Sequence, residues 1–155
     1  MIELSNFTYK TNRILFEGAN FIAPSIGIIG IAGESGCGKT TFLKIISKQI
    51  HLDSMVNDAT SIFYGNQDAL LKKDLTIAQQ FELIESVYNR EHDQNTIDEL
   101  FNSLNIKASL SQKYDSCSLG EKKRIMIALS VYSNSPCIIL DEPLSSVDYE
   151  DKHSI

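Results

Sequence analysis

The stretch that most constrains this chain of 155 residues is Gly27–Thr41, with the sequence GIIGIAGESGCGKTT. Its second half, Gly33–Thr40, fits the pattern G-x-x-x-x-G-K-[ST], whose backbone N–H groups converge on a phosphate. The apolar run Gly27–Ala32 before it predicts a buried parallel strand, and the residues after it predict a helix. A chance glycine-rich turn is the alternative, but the strand before and the helix after favour a phosphate-binding loop.

Two side chains of this loop have chemical roles that the motif itself predicts. Lys39 is expected to reach the β- and γ-phosphates of a nucleotide, and the Thr40 hydroxyl is expected to ligate Mg²⁺. Cys37 lies inside the loop, and two interpretations of it are open. That it is a small residue tolerated in the turn is favoured over a role as a reactive thiol. The sequence therefore predicts a nucleoside triphosphate site with its metal.

The length and composition limit the classes of protein to which this chain can belong. A chain of this length suits one domain, and 43% hydrophobic with 22% charged residues is ordinary for a globular protein. The net charge of −6 gives no reason to expect nucleic acid as a partner. The sequence lacks a membrane-length apolar run and a signal-peptide layout. The cysteines, without a C-x-x-C pair, predict neither a zinc site nor disulfides.

The first half of the chain predicts strands around one helix. Four short strands are predicted outside the loop: Ile2–Thr8, Ile14–Phe16, Asn20–Ala23 and Ser61–Tyr64. The helix after the loop has one apolar face, formed by Phe42, Ile45, Ile46 and Ile50. Residues 51–60 are polar and predict a loop.

Three capping boxes predict the starts of three further helices, because each places Ser or Thr three residues before Gln or Glu. They are Thr76–Gln79, Thr96–Glu99 and Ser118–Glu121. Each predicted helix has one buried face. The face is formed by Ile77, Phe81, Ile84 and Tyr88 in the first helix, by Leu100, Phe101 and Leu104 in the second, and by Ile125, Ala128, Leu129 and Tyr132 in the third. Residues 70–116 are expected to form a helical subdomain inserted between two parts of the sheet.

The continuous apolar run Pro136–Leu140 predicts a central parallel strand that is covered on both faces. It ends at Asp141 and Glu142, and open α/β sheets place their ligand sites at this end of a strand. Asp141 can hold Mg²⁺ beside a phosphate loop, while Glu142 diverges from it and can address a water. The alternative is that Glu142 is a solvated carboxylate.

These motifs, in this order, resemble the nucleotide-binding domain of an ABC (ATP-binding cassette) ATPase over about residues 2–148. The matching segments are Tyr9, Gly33–Thr41, Gln67, Ser118–Arg124, Asp141–Pro143 and Ser145–Asp148. The resemblance implies an α/β fold: a P-loop NTPase core with a mostly parallel sheet, a small N-terminal antiparallel β-subdomain and the inserted helices. It also implies that the whole chain, 1–155, is a single ATP-binding domain.

The resemblance assigns roles to individual residues. The implied catalytic residues are Glu142, as general base, with Gln67 and Lys39. The implied nucleotide-binding residues are Tyr9, Gly33, Ser35, Gly36, Cys37, Gly38, Lys39, Thr40, Thr41, Ser118, Gly120 and Asp148. The implied metal ligands are Thr40, Gln67 and Asp141. Ordinary strand packing is the alternative for Tyr9, and an ordinary turn is the alternative for Gln67.

The chain departs from the family pattern in two places. The signature loop, usually L-S-G-G-Q, is here Cys117–Glu121, in which Leu119 adds bulk and Glu121 adds a carboxylate near a phosphate site. That carboxylate is unfavourable there unless it turns toward its capping role. His153 follows Glu142 by only eleven residues, before any later strand, so it is not expected to be the family's switch histidine; either the chain is truncated or the protein lacks the family's later strand and that histidine.

The expected function is ATP binding and hydrolysis that drives transport through a separate membrane-spanning subunit, at the inner face of the cell membrane. The expected partners are ATP and a second ABC ATPase domain, in a homodimer or heterodimer, besides that subunit. Two alternatives stay open: a nucleotide-binding regulatory or dimerisation module with little hydrolysis, and a soluble ABC ATPase acting on DNA or ribosomes. The sequence does not specify the transported substrate.

Overall fold

A computed structural model describes residues 2–52, 55–57, 61–66 and 71–143 of the chain. It divides the chain into two compact units, Met1–Thr60 and Ser61–Ile155. The predicted site residues Gln67 and Asp148 lie outside the described residues.

In the part of the first unit that the structure describes, three strands form an antiparallel sheet in the order β2-β1-β3. Its strands are β1 (Ile2–Lys10), β2 (Ile14–Ala23) and β3 (Met55–Asn57). The predicted first strand is confirmed. The two predicted strands that follow it are one continuous strand, because Gly18 (φ +57°) takes up an irregularity and donates its N–H to Thr8 Oγ1 at 3.1 Å.

The prediction of a loop over 51–60 is wrong at residues 55–57. Here β3 pairs with β1, with Glu3 opposite Val56. A strand of three residues is too short to show an alternating pattern in the sequence. It is stabilised by pairing with the edge of β1.

The helix after the glycine loop, α1 (Lys39–Ile46), is confirmed. Its buried side chains are Phe42, Leu43, Ile45 and Ile46. The Phe42 ring packs on the β2 ring of Phe21 with centroids 4.9 Å apart, which anchors the helix to the sheet. The helix ends earlier than predicted, because Lys48 has a left-handed backbone (φ +64°), and Ile50 therefore lies beyond it.

The prediction of a buried strand over Gly27–Ala32 is wrong. These residues form no strand in the described part of the chain, and Ile28 and Ile31 are 102% and 37% exposed. A strand exists only where it pairs with a neighbour, and two glycines in six residues weaken the intrinsic preference for an extended chain. An apolar composition alone therefore does not predict a strand at this position.

The described residues of the second unit form three α-helices and a short 3₁₀ turn. They are α2 (Ile77–Tyr88), α3 (Gln94–Ser103), the turn Tyr114–Ser116, and α4 (Leu119–Tyr132). The predicted capping boxes at Thr76 and Ser118 are confirmed, with both reciprocal hydrogen bonds present in each. The predicted box at Thr96 is wrong: Asp93 is the N-cap of α3, and its carboxylate accepts the Thr96 N–H at 3.1 Å.

The core of this unit is built on α4. The four residues predicted to face inward (Ile125, Ala128, Leu129 and Tyr132) are fully buried. Ile77, Phe81 and Ile84 of α2 belong to the same core, and Leu100 and Phe101 of α3 are partly buried against it. Residues from separate helices are thus joined in one apolar cluster.

Beside the helices lies a parallel pair of strands, β4 (Ile62–Gly65) and β5 (Cys137–Leu140), which confirms both predicted strands. A Cβ at Gly65 would lie 2.7 Å from Leu140 Cδ2, so a larger residue here would displace the Leu140 side chain. The prediction that both faces of β5 are covered is wrong for Ile138, which is 42% exposed. Among the described residues, no helix has both the length and the apolar character that crossing a membrane requires.

Candidate functional site

The glycine loop before α1 has a backbone that few residues other than glycine can adopt. Gly36 (φ +76°) and Gly38 (φ +105°) lie in the left-handed region. A Cβ at Gly33 would lie 2.8 Å from Cys37 Sγ, and the Cys37 N–H closes the turn by donating to the Glu34 carbonyl at 3.3 Å. The loop geometry therefore favours glycine at Gly33 and Gly38, which the motif fixes, and at Gly36 between them.

The Lys39 ammonium lies within this loop. Its Nζ donates to the Gly33 and Glu34 carbonyls, each at 2.8 Å. Gly38 caps α1 without a side chain, and the first turn of the helix contains no acidic residue. The positive end of the helix and the lysine charge thus act at the same place, which favours an anion.

A polar cavity of about 290 Å³ borders the loop. Its lining residues are Arg13, Ile14, Leu15, Glu34, Ser35, Gly36 and Cys37. The Arg13 guanidinium, from the turn between β1 and β2, donates to the Gly36 carbonyl. Sequence reasoning missed Arg13, because a single cation in a hairpin turn gives no local pattern that distinguishes it from a solvated surface residue.

A second cavity, of about 270 Å³, borders the loop and is lined by aromatic rings and by Lys39. The rings belong to Phe7, Phe16, Phe21 and Phe42. Tyr9, which the family resemblance links to adenine, is half-buried in β1 opposite Phe16 and lines neither cavity. Thr40 is exposed at the start of α1 and Thr41 is half-buried.

In the second unit, the two predicted carboxylates directly follow β5. The Asp141 N–H donates to the Gly65 carbonyl at 3.0 Å, which continues the pairing of β5 with β4 by one residue. At Glu142 the backbone turns sharply into the left-handed region (φ +51°), a conformation that costs a non-glycine residue about 1–2 kcal/mol. Asp141 is half-buried and Glu142 is exposed.

A lysine that the sequence did not single out lies beside these carboxylates. Lys123 of α4 is only 2% exposed, and its Nζ donates to the Glu142 carbonyl at 2.7 Å. Burial lowers the pKa of the Lys123 ammonium, whereas the charges of Glu142 and Asp141 act to raise it. The signal that could have found Lys123 is the continuous apolar run Ile125–Leu129 that follows it, because a helix that is apolar on every side is buried.

The predicted signature loop begins α4. Ser118 Oγ accepts the Glu121 N–H at 3.2 Å, and Glu121 Oε2 accepts the Ser118 N–H at 3.0 Å. Glu121 is therefore turned toward its capping role, as expected. Leu119 is 48% exposed, Gly120 is half-buried, and Cys117 is buried, which raises the pKa of its thiol.

The residues predicted to hold Mg²⁺ have suitable chemistry. Thr40 and Asp141 offer a hydroxyl and a carboxylate, and Mg²⁺ prefers oxygen ligands. Among the described residues, no group of three or more His, Cys, Asp or Glu side chains could hold a metal. Mg²⁺ commonly binds one or two protein ligands together with the phosphates of the substrate.

Comparison with known proteins points to one family. The profile of the ABC transporter family matches residues 16–145. A cytochrome c biogenesis ATP-binding export protein of Reclinomonas americana is 31% identical over 154 residues, covering 90% of this chain and 68% of the relative. A molybdate import ATP-binding protein of Haemophilus influenzae is 26% identical, covering 95% of this chain and 61% of that relative.

Solved structures share the fold. A putative ABC transporter ATP-binding protein of Pyrococcus furiosus aligns with a TM-score of 0.82 and 20% identity, over 99% of this chain and 80% of its own. A dimeric bacterial ABC transporter cassette aligns with a TM-score of 0.79 and 23% identity, over 100% and 79%. The predicted α/β P-loop fold is thereby confirmed. The chain belongs to the ABC transporter family, as one of its ATP-binding ATPases.

Proposed function

We propose that the chain binds ATP together with Mg²⁺ through the loop Gly33–Thr41 and hydrolyses it with the turn after β5. The observation that carries this proposal is the position of Lys39, whose ammonium two loop carbonyls hold at the positive end of α1. Phosphate oxygens can replace these carbonyls as acceptors, because hydrogen bonds between charged groups are stronger than bonds to neutral ones. Thr40 and Asp141 are the proposed metal ligands, with Gln67.

In this proposal Glu142 is the general base. The two carboxylates have separate roles in this proposal, Asp141 serving the metal and Glu142 the attacking water. Water loses a proton to the Glu142 carboxylate as its oxygen attacks the γ-phosphorus, and ADP leaves. The bound metal would neutralise charge on the phosphates.

A second ATPase domain is the proposed partner at the γ-phosphate. Ser118 and Gly120, at the start of α4, would contact the nucleotide bound by the partner, since a helix N-terminus favours an anion. Asp148 would assist in the same contact. Support comes from the dimeric form of a similar cassette. The chain would thus act in a homodimer or heterodimer.

The ATPase would drive transport through a separate membrane-spanning subunit, at the cytoplasmic face of the membrane. Support comes from relatives whose names describe ATP-binding proteins of transport systems. One of these names specifies export and the other import, so the relatives favour the coupling to transport without a particular substrate or direction.

The replacement Glu142→Gln tests the assignment of the chemical step. It removes the proton acceptor and preserves the size of the side chain, so turnover is expected to fall by about 10²–10⁴-fold. The affinity for ATP is expected to stay unchanged, because the phosphate loop is intact. Steady-state phosphate release and the binding of a fluorescent ATP analogue measure the two quantities.

The matched control is Glu91→Gln, which removes the same charge from an exposed turn between α2 and α3. It is expected to hydrolyse ATP at the wild-type rate. Equal turnover in wild type and Glu142→Gln would refute the role of Glu142.

The membrane partner is tested by purifying the affinity-tagged chain from membranes. A multi-span protein in the eluate supports the proposal, and its absence contradicts it.

A further inference from the structure

Lys123 is a buried charge that the proposed reaction does not use. The residue is 2% exposed, whereas the side chain of its neighbour Lys122 is 25% exposed. Transfer of an ammonium from water into a protein interior is costly unless its protons meet acceptors and its charge is compensated. A feature with this cost needs a physical reason.

Lys123 Nζ donates to the main-chain carbonyl of Glu142 at 2.7 Å, and the charges of Glu142 and Asp141 both act on the ammonium. Glu142 is also the residue whose left-handed backbone turns the chain after β5. A strained backbone persists only where its surroundings determine it, and such strain clusters at functional sites. The lysine therefore contacts the peptide group that needs external support.

The lysine is attached to a rigid element. Lys123 lies in the second turn of α4, whose first turn is fixed by the Ser118–Glu121 capping box and whose later turns form the core. The carboxylate turn is fixed from the other side, because the Asp141 N–H bonds to the Gly65 carbonyl of β4. The peptide group of Glu142 is thus held between a capped helix and a sheet.

We propose that Lys123 is a positioning residue for ATP hydrolysis, which holds the main chain of Glu142 so that its carboxylate meets the attacking water. This inference rests on the proposed role of Glu142 as general base. Lys123 itself contacts neither the nucleotide nor the water in this proposal. Its effect should therefore appear in the rate of hydrolysis and not in the affinity for ATP.

The test compares Lys123→Met and Lys123→Gln. Methionine fills the space but cannot donate a hydrogen bond, whereas the amide of glutamine is a neutral donor. A small displacement of a reacting group costs about 10²-fold in rate, so Lys123→Met should lose about this factor in turnover and retain its affinity for ATP. Lys123→Gln should recover part of the rate, since the carbonyl regains a donor.

The control Lys122→Met removes the same charge one residue away, where the ammonium bonds to the Asp115 carbonyl at 2.8 Å. It should hydrolyse ATP as the wild type does. Thermal unfolding with bound nucleotide establishes that each variant is folded. Wild-type turnover in Lys123→Met would overturn the inference, as would a loss of ATP affinity that parallels the loss of rate in both Lys123 variants.

A double variant separates this inference from the proposal on which it rests. If both residues act on one step, Lys123→Met should slow hydrolysis little further in the Glu142→Gln background. If Glu142→Gln alone hydrolyses normally, the general-base assignment is wrong. If Glu142→Gln is slow and Lys123→Met is fast, only the role of Lys123 is wrong.

Discussion

The phosphate loop and the carboxylate turn reach their conformations by different means. The loop Gly33–Thr41 depends on its own glycines, two of which have positive φ, and its lysine bonds to carbonyls six and five residues away. The turn at Glu142 has a positive φ without a glycine, and its support comes from Lys123, nineteen residues earlier. The loop depends mainly on its own residues, with one further bond from Arg13 of the hairpin, whereas the turn depends on a distant helix.

This difference predicts how each region responds to change. Substitutions within the loop should act directly on the loop and on nucleotide affinity. The turn should respond to substitutions in a distant helix, and the response should appear in the rate of hydrolysis. Two variants in the loop test this division, and a third tests the cap of α4, the helix that contains Lys123; they follow from the largest expected effect to the smallest.

The variant Lys39→Met should show the largest effect on binding. A hydrogen bond to a charged group contributes about 1.5–3 kcal/mol, and about 1.4 kcal/mol corresponds to tenfold in affinity. The affinity for ATP should therefore fall by roughly ten- to a hundredfold. Titration with a fluorescent ATP analogue measures it. A variant that binds ATP normally but hydrolyses it slowly would contradict the assignment of Lys39 to binding.

The variant Gly38→Ala tests the local glycine geometry. The left-handed backbone at Gly38 costs alanine about 1–2 kcal/mol, and the added Cβ would lie 3.2 Å from Phe16 Cζ. Thermal unfolding should show this loss of stability. The matched control is Gly30→Ala, where a Cβ meets nothing within 4 Å and φ is not positive. Equal effects of the two substitutions would contradict the account of the loop.

The variant Ser118→Ala should have the smallest effect on stability, about 1 kcal/mol, because it removes one N-cap. Ser118→Gly restores most of this loss, since glycine costs only a few tenths of a kcal/mol at an N-cap. If Ser118 also contacts the γ-phosphate, hydrolysis should be slow in both variants. Hydrolysis that recovers together with stability in Ser118→Gly would leave the residue a structural cap only.

The same division explains what the sequence could predict. The phosphate loop and the caps at Thr76 and Ser118 were predicted because neighbouring residues determine them. At Thr96 the pattern was equally good, but Asp93 offers an acceptor three residues earlier and a carboxylate binds the N–H groups of a helix strongly. Local patterns therefore identify capping candidates but do not decide between overlapping ones.

Features that depend on distant residues could not be predicted. The apolar run Gly27–Ala32 has the composition of a strand, but pairing decides whether a strand forms. Lysine is a residue type that usually lies at the surface, and only the packing of α4 buries Lys123. Arg13 likewise reaches Gly36 only because the hairpin of β1 and β2 brings it there.

The most direct test of the division between binding and chemistry is the nucleotide that each variant retains. The wild type, Lys39→Met and Glu142→Gln are incubated with α-labelled ATP and Mg²⁺, separated rapidly from free nucleotide, and assayed for retained ATP and ADP. The account predicts that Glu142→Gln retains intact ATP, that Lys39→Met retains little nucleotide, and that the wild type retains mainly ADP. Retention of ADP by Glu142→Gln at the wild-type level would contradict it.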